Sequence, residues 1–391
     1  GPDRPAGGFH IVGELADPSN LEVAKLVGRD EAHWVIGPEL IGRITVQSCR
    51  QSGLSVVYQE LLDFDGDEIY ISEQPELVGA TYSDAQLRFD DCTAIGIVSG
   101  ESVLVNPPGD TVIAAGDRVI VIAEDDSTIR LGERRTPTTS AIVDRAPAPA
   151  DPERTLVLGI NTGLVSMLRE LDEYVAPGST VHIVAQRKAI EIPEFENLTT
   201  TWQRADATKL AVLDALDPAS FDHIIVLADT TEHDQQRADS RTLVTLLQLR
   251  DIADRGGHDL NIVSEMLDDG NRELAEVTEA DDFIVSDKLV SLVLAQIAEN
   301  RELTAVFDTL FSSAGSEIYL SPAEQYVDLG VEVDMTTIIG AAQRRGETAI
   351  GFRLAADAHT AAKQYGVRVN PAKSERVRFA DGDRVIVLAE G

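Results

Sequence analysis

The sequence predicts a duplicated α/β protein. Each repeat joins a Rossmann-like, doubly wound parallel sheet to a small α+β C-terminal lobe, and the first Rossmann-like lobe is truncated. Three observations predict this. Four short segments recur in one order. Apolar strand runs alternate with helical periodicities in the middle of the chain. Short strands with alternating patterns then replace that rhythm in each copy.

The recurrence is specific. Gly116-Asp-Arg-Val-Ile-Val-Ile-Ala-Glu124 returns as Gly382-Asp-Arg-Val-Ile-Val-Leu-Ala-Glu390. Val105-Asn-Pro107 returns as Val369-Asn-Pro371, Ala94-Ile-Gly96 as Ala349-Ile-Gly351, and Gly66-Asp-Glu-Ile-Tyr-Ile71 as Gly315-Ser-Glu-Ile-Tyr-Leu320. Upstream, His10-Ile-Val-Gly-Glu-Leu-Ala-Asp17 pairs with Asn261-Ile-Val-Ser-Glu-Met-Leu-Asp268. Each of these is an apolar strand ending in an acid, followed by a helix and a second strand. A period of this length signals an internal repeat.

Taken in order, residues 1–8 read as a tail whose Gly1-Pro2 has the form of a protease-cleavage scar. Residues 9–62 read as the end of a Rossmann-like lobe with its crossover helices, and 63–127 as its C-lobe. Residues 128–154 carry Pro137, Pro147, Pro149 and Pro152 without apolar periodicity, so they read as a linker. Residues 155–311 are a fuller Rossmann-like lobe. Its strands are Thr155–Ile160, Thr180–Ala185 and His223–Ala228, and its helices run near 163–174, 210–216 and 237–253. Residues 312–391 are the second C-lobe, in which 355–365 reads as a short extra helix. The crossover segments carry apolar stripes: Leu289, Leu292, Val293, Ile297, Val306, Phe307 and Leu310 in one, and Leu40, Ile41, Ile44, Leu54, Val57 and Leu61 in the other.

Composition narrows the function. The 391 residues hold 67 acidic and 33 basic side chains, a net charge of −34. That argues against wrapping nucleic acid, which needs Lys and Arg on phosphates, and against docking on anionic lipid. It suits cations, and it suits solubility alone. Two cysteines make no disulfide framework, and no Cys/His spacing suits zinc.

A dinucleotide loop wants Gly-x-Gly-x-x-Gly after the first strand and an acid at the end of the second. Here the turn reads Gly159-Ile-Asn161-Thr-Gly163, and the second strand ends in Gln186. Asn161 puts a side chain where backbone would approach a pyrophosphate, so NAD is not the expected ligand. Scattered histidines and the lack of a nucleophile motif argue against an enzyme. His182 and His223 read as satisfied strand residues, while His233 follows a strand in a polar stretch.

This order of lobes, present twice, resembles the RCK domains (regulators of potassium conductance) of cytosolic gating rings. Within that class it is similar to the CASTOR/POLLUX family, through Gly159-x-Asn161, Leu171-Asp172-x-Tyr174-x-x-Pro177-Gly178-Ser179 and Glu317-Ile-Tyr-Leu320. The resemblance implies a non-enzymatic, ligand-sensing region on the cytoplasmic side of a membrane. It also implies a tetrameric ring of tandem RCK domains, and a pore domain upstream of the present chain. Calcium is the ligand it suggests. In calcium-gated relatives, carboxylates gather at the ends of adjacent Rossmann strands. The matching positions are Asp229 and Glu265, with Asp268 and Asp269 nearby, and Glu14 is the first-repeat counterpart of Glu265. The pattern departs at Leu267 and Ala16, where a second acid is expected. A second candidate is Asp63-Phe-Asp65-Gly-Asp67-Glu68, which carries alternating acids around a glycine but lacks the rest of an EF-hand; its bland reading is a charged hairpin turn. Asp90-Asp91 and Glu124-Asp125-Asp126 read as solvated surface. Two alternatives stand beside the calcium reading: a nucleotide- or NAD-sensing regulatory subunit of a potassium transport system, and a Rossmann-type enzyme.

Overall fold

A computed structural model describes residues 9–64, 66–146, 151–229, 234–271, 274, 282–311 and 315–390. The chain divides into two compact units, Gly1–Ser55 with Pro149–Arg301 and Val56–Ala148 with Glu302–Gly391. Each unit draws on both repeats. The repeats are therefore the units of sequence, and the compact bodies cut across them.

The first unit holds a parallel sheet with strand order Asp282–Val285, Ile262–Met266, His223–Val226, Arg154–Leu158, Ser179–Ala185, Leu198–Arg204. The order reverses between Arg154–Leu158 and His223–Val226, as in doubly wound folds. Leu156, Val157, Leu158, Ile224, Ile225 and Val226 are all buried, so these strands are covered on both faces. That explains why they read as continuous apolar runs rather than alternating ones.

The first repeat contributes a two-stranded parallel pair, Ile11–Leu15 with Ala32–Ile36. Its register copies that of the second repeat: Glu14 lies opposite Val35 as Glu265 lies opposite Ile284. The helix Gly37–Arg50 follows and packs on the helix Leu164–Tyr174. At the crossing, Gly42 sits beside Met167, where an added Cβ would be in ordinary contact at 3.5 Å. Arg43 Nε donates to Glu170 Oε1 at 2.8 Å, and Gln47 Nε2 to the Tyr174 hydroxyl at 3.3 Å.

The second unit contains two four-stranded antiparallel sheets of identical order. One runs Glu68–Glu73, Arg118–Ala123, Thr93–Ser99, Ser102–Val105; the other runs Ser316–Pro322, Arg384–Glu390, Thr348–Arg353, Val367–Val369. Each carries a bulge at the same place, between Ala94 and Gly96 and between Ala349 and Gly351. The extra residue's carbonyl is claimed both times by an asparagine N–H: Asn106 to Ile95 and Asn370 to Ile350, each at 2.8 Å. The small α+β lobes and their duplication are thus present down to the irregularities. Each lobe has its own apolar core, one around Phe89, Ile97 and Val121, the other around Tyr326, Phe352 and Val387.

The local expectations need three corrections. Residues 355–365 form no α-helix. They make two 3-10 turns, Ala355–Asp357 and Ala361–Gly366, with Gln364 and Tyr365 at positive φ. The excursion is closed at its base by Leu354 N–H donating to Gly366 O at 3.0 Å, which leaves a loop rather than a helical rod.

The segment expected as a free linker is in part a strap. Thr138 N–H donates to Thr337 Oγ1 and Val143 N–H to Tyr326 O, and Ala141 is buried in the second C-lobe core. The strap fits because Gly340 leaves room for Pro137, which lies 2.6 Å from where a Cβ would stand. Backbone pairing needs no side-chain periodicity, so the sequence pattern was silent.

Asp63 to Glu68 is not a hairpin. It joins the helix Leu54–Leu62 to the strand Glu68–Glu73, and Asp65 lies outside the described residues, as does His233. Among the described residues no helix is long and apolar enough to cross a membrane.

Candidate functional site: a cavity shared by the two repeats

In the first unit, the loop Asn161-Thr162-Gly163 and the ends of two equivalent strands meet around one cavity of about 280 Å³. Glu14, Asn161, Thr162, Glu265, Ser286 and Asp287 supply its polar lining. Three helices begin at its wall: Gly37–Arg50, Leu164–Tyr174 and Ser286–Glu299. Each strand–helix unit delivers its acid by the same route. Glu14 or Glu265 is the penultimate residue of its strand, and the next strand ends at Ile36 or Val285. A crossover helix then starts at Gly37 or Ser286.

The two acids differ in their restraint. Glu265 is 3% exposed. It accepts from Ser286 Oγ and Asn161 Nδ2, both at 2.8 Å, and from Ala228 N–H at 3.2 Å. Burial raises its pKa above the usual carboxylate range, against these three donors. Glu14 is exposed. Its Oε1 lies 2.5 Å from where a Cβ on Gly37 would stand, so glycine is what lets that carboxylate lie over the helix start. Asn161 commits its Nδ2 to Glu265, and its buried Oδ1 has no hydrogen-bond donor. Position 161, which spoils a dinucleotide loop, is the bridge that joins that loop to Glu265.

The other sequence candidates lie elsewhere. Asp229 does not join Glu265. It lies 3.5 Å from Arg187 Nε and lines a separate space of about 50 Å³ with Gly159, Gln186 and Arg241. This is the sheet's switch point, where doubly wound folds seat their ligands, yet cofactor pockets run to several hundred Å³. Gly159 has φ +104° and an added Cβ would fall 2.4 Å from Leu227 O, so its glycine serves backbone packing. Asp268 is exposed and accepts from Gly270 N–H at 2.9 Å.

In the second unit, Asp67 accepts from Asn370 Nδ2 at 2.8 Å and shares a cavity of about 460 Å³ with Glu60, Asp91 and Glu124. Burial raises the pKa of Asp67 and Glu60, and neighbouring carboxylates add to it. Glu68 starts its strand opposite Ala123. Among the described residues no three carboxylate, imidazole or thiol groups come close enough to cage a metal ion.

Sequence reasoning missed Asp239, Asp282 and Asp287. Asp239, fully buried, accepts from Leu267 N–H and Asp268 N–H and holds the turn after Glu265. Asp282 accepts from Gly53 N–H at 2.7 Å and fixes the end of the first crossover. No linear signal marked them, since Asp239 lies in a polar helical turn and Asp282 opens its strand beside another acid. Asp287 lines the shared cavity at the start of its helix.

Comparison with known proteins finds relatives. Residues 38–139 match the family model described as Castor and Pollux, part of voltage-gated ion channel. The chain is 32% identical to the ion channel CASTOR of Lotus japonicus over 97% of its own length and 49% of that protein. It is 30% identical to the ion channel POLLUX of Lotus japonicus over 98% of its length and 46% of that protein. The chain thus spans about half the length of these relatives. Among solved structures, the human SLO3 gating ring superposes with a TM-score of 0.69, covering 97% of this chain and 81% of that one at 12% identity. At that identity the likeness speaks for the fold.

Proposed function

We propose that this chain, which is similar to CASTOR and POLLUX channels over about half of their length, is a tandem RCK region forming the ligand-sensing gating-ring part of a cation channel, and that calcium is its ligand. One observation carries the reading. The cavity shared by the repeats is lined by three acids, Glu14, Glu265 and Asp287, and, among the described residues, by no Lys, Arg or His. Its donors are oxygens, the chemistry calcium takes, and the Asn161 Oδ1 is an oxygen in want of a positive partner. Glu265 is a fixed donor and Glu14 an exposed one, so a cation would gain ligands by drawing the first repeat's arm inward.

Such a ligand can work a gate only by binding one arrangement better than another. The cavity is placed for that, because both crossover helices start at its wall. On this reading, four chains form a ring on the cytoplasmic side of the membrane, attached to a pore.

The test is calorimetric titration of this chain with calcium, with magnesium as control, on the wild type, on Glu14→Gln and on Glu14→Gln/Glu265→Gln. A saturable calcium signal, weakened at least about tenfold in the variants, is the expected result. A signal that survives both changes but is lost in Asp67→Asn moves the sensor to the Asp63–Glu68 turn. No signal at millimolar calcium overturns calcium as the ligand.

A further inference from the structure

Where the first crossover helix ends, its last carbonyls meet the second repeat's sheet through one asparagine. Asn261 Nδ2 donates to Cys49 O at 3.0 Å. The same Nδ2 lies 2.8 Å from His223 Nδ1. An amide nitrogen can only donate, so His223 Nδ1 must accept. The ring proton is then on Nε2, which faces Glu153 Oε2 at 3.4 Å. Glu153 is held in turn by Arg50, whose Nε and NH2 groups reach its two oxygens at 3.3 and 3.1 Å. The remaining Asn261 Oδ1 is buried without a donor.

In this arrangement Nδ1 is placed as an acceptor. A proton added to Nδ1 would put an N–H against the Asn261 NH2 group. The amide can accept that proton only by turning its Oδ1 toward the ring. The oxygen would then face Cys49 O at about the present 3.0 Å, and the helix carbonyl would lose its donor. One amide cannot serve both partners once the histidine is charged.

We propose that His223 is a proton-responsive latch that releases the C-terminal turn of the helix Gly37–Arg50 from the second repeat's sheet. The groups that face it are few. Glu153 lies at the foot of the strand Arg154–Leu158, Arg50 on the helix, and Asn261 before the strand Ile262–Met266. Asp222 precedes His223 and accepts from Arg154 N–H, while the Arg154 guanidinium lies over Phe221. Asp282, whose field reaches Cys49, holds Gly53 N–H just beyond the helix. Glu153 stays ionised throughout the working range, since the hydrogen bond from the His223 ring and the Arg50 guanidinium hold its pKa well below the usual carboxylate range despite its burial. It therefore favours the charged imidazole, while Asn261 opposes it. Acidification resolves that conflict by giving up the helix contact.

The test is hydrogen exchange of residues 42–51 between pH 7.5 and 5.5, normalised to the intrinsic chemical rates, on the whole chain. In the wild type the protection of this turn should fall about three- to tenfold on acidification, the worth of one hydrogen bond. In His223→Gln it should stay flat. Asn261→Asp can accept from the charged ring but cannot donate to Cys49, so protection should already be low at pH 7.5. NMR titration of the imidazole gives an independent reading. Equal pH slopes in wild type and His223→Gln overturn the proposal. So does a His223 that titrates with no change at residues 42–51.

Discussion

Thr93 Oγ1 donates to Asn370 Oδ1 at 2.8 Å, and Thr348 Oγ1 donates to Asn106 Oδ1 at 2.7 Å. The first pair runs from repeat one to repeat two, and the second runs back. The C-lobes are thus related by a local twofold within one chain. Both threonines open the bulged strand, and both asparagines sit at positive φ, 48° for Asn370 and 49° for Asn106. Asparagine suits this place twice over, since it tolerates the left-handed region and its amide reaches the opposite lobe.

Replacing Asn370 by alanine should therefore cost about 2–4 kcal/mol, from the strained backbone and from buried partners left unpaired. Asn370→Gly should recover about 1 kcal/mol, the backbone share alone. Urea unfolding of the two variants separates the parts. If Asn370→Ala matches the wild type to within about 0.5 kcal/mol, the pair is not a structural pin.

The twofold is broken by a buried lysine. Lys373 is 1% exposed and stands where the first repeat has Gly109. Its Nζ donates to Thr93 Oγ1 at 2.8 Å, and burial lowers its pKa from 10.5 to about 8, against the fields of Cys92, Asp67, Asp91 and Asp90. Below pH 8 both the folded and unfolded chains carry the proton, and folding bears the full cost of burying the charge. Between pH 8 and 10.5 only the unfolded chain holds it, so this group makes stability rise with pH. Lys373→Met should be more stable at pH 7, on the order of 1–3 kcal/mol. The difference between variant and wild type should shrink from pH 8 to 10.5. A difference constant with pH would mean that folding leaves the pKa of the lysine unchanged.

Gly37 and Ser286 start equivalent helices beneath equivalent acids. Gly37→Ser would place a hydroxyl beside Glu14 as Ser286 stands beside Glu265, and its Cβ would push the exposed Glu14 carboxylate aside. The melting temperature should change by no more than a few degrees, since the displaced group is solvated. Calcium affinity should fall about five- to tenfold if Glu14 is the arm that closes, because its carboxylate is displaced from the helix start. Titration of the variant decides it: an unchanged affinity would remove Glu14 from the sensor.

Much of this architecture was legible in the residues. The strands Arg154–Leu158 and His223–Val226 announced themselves as apolar runs because both of their faces are covered. Repeats such as Gly116–Glu124 and Gly382–Glu390 keep their spacing because each must fill the same bulged sheet. The equivalence of Glu14 and Glu265 was also visible, since a strand ending in an acid and leading to a helix is a linear pattern. The strap at 129–145 was not, because it is held by backbone pairing and by the gap over Gly340. Nor was the fate of Asp229, which lies beside Arg187 at the switch point rather than beside Glu265.

The sequence by itself determined that there are two copies of one βα plan, which strands are buried, and which residues end them. Those are properties of local period and composition. Only the tertiary structure decided that the two strand-end acids share a cavity and that Asn161 bridges the loop to one of them. Only it showed that a histidine, an asparagine and a helix carbonyl compete for one amide. These depend on which groups far apart in the sequence come within hydrogen-bonding range. Packing of the crossover helix on the sheet sets those distances, and no linear spacing encodes them.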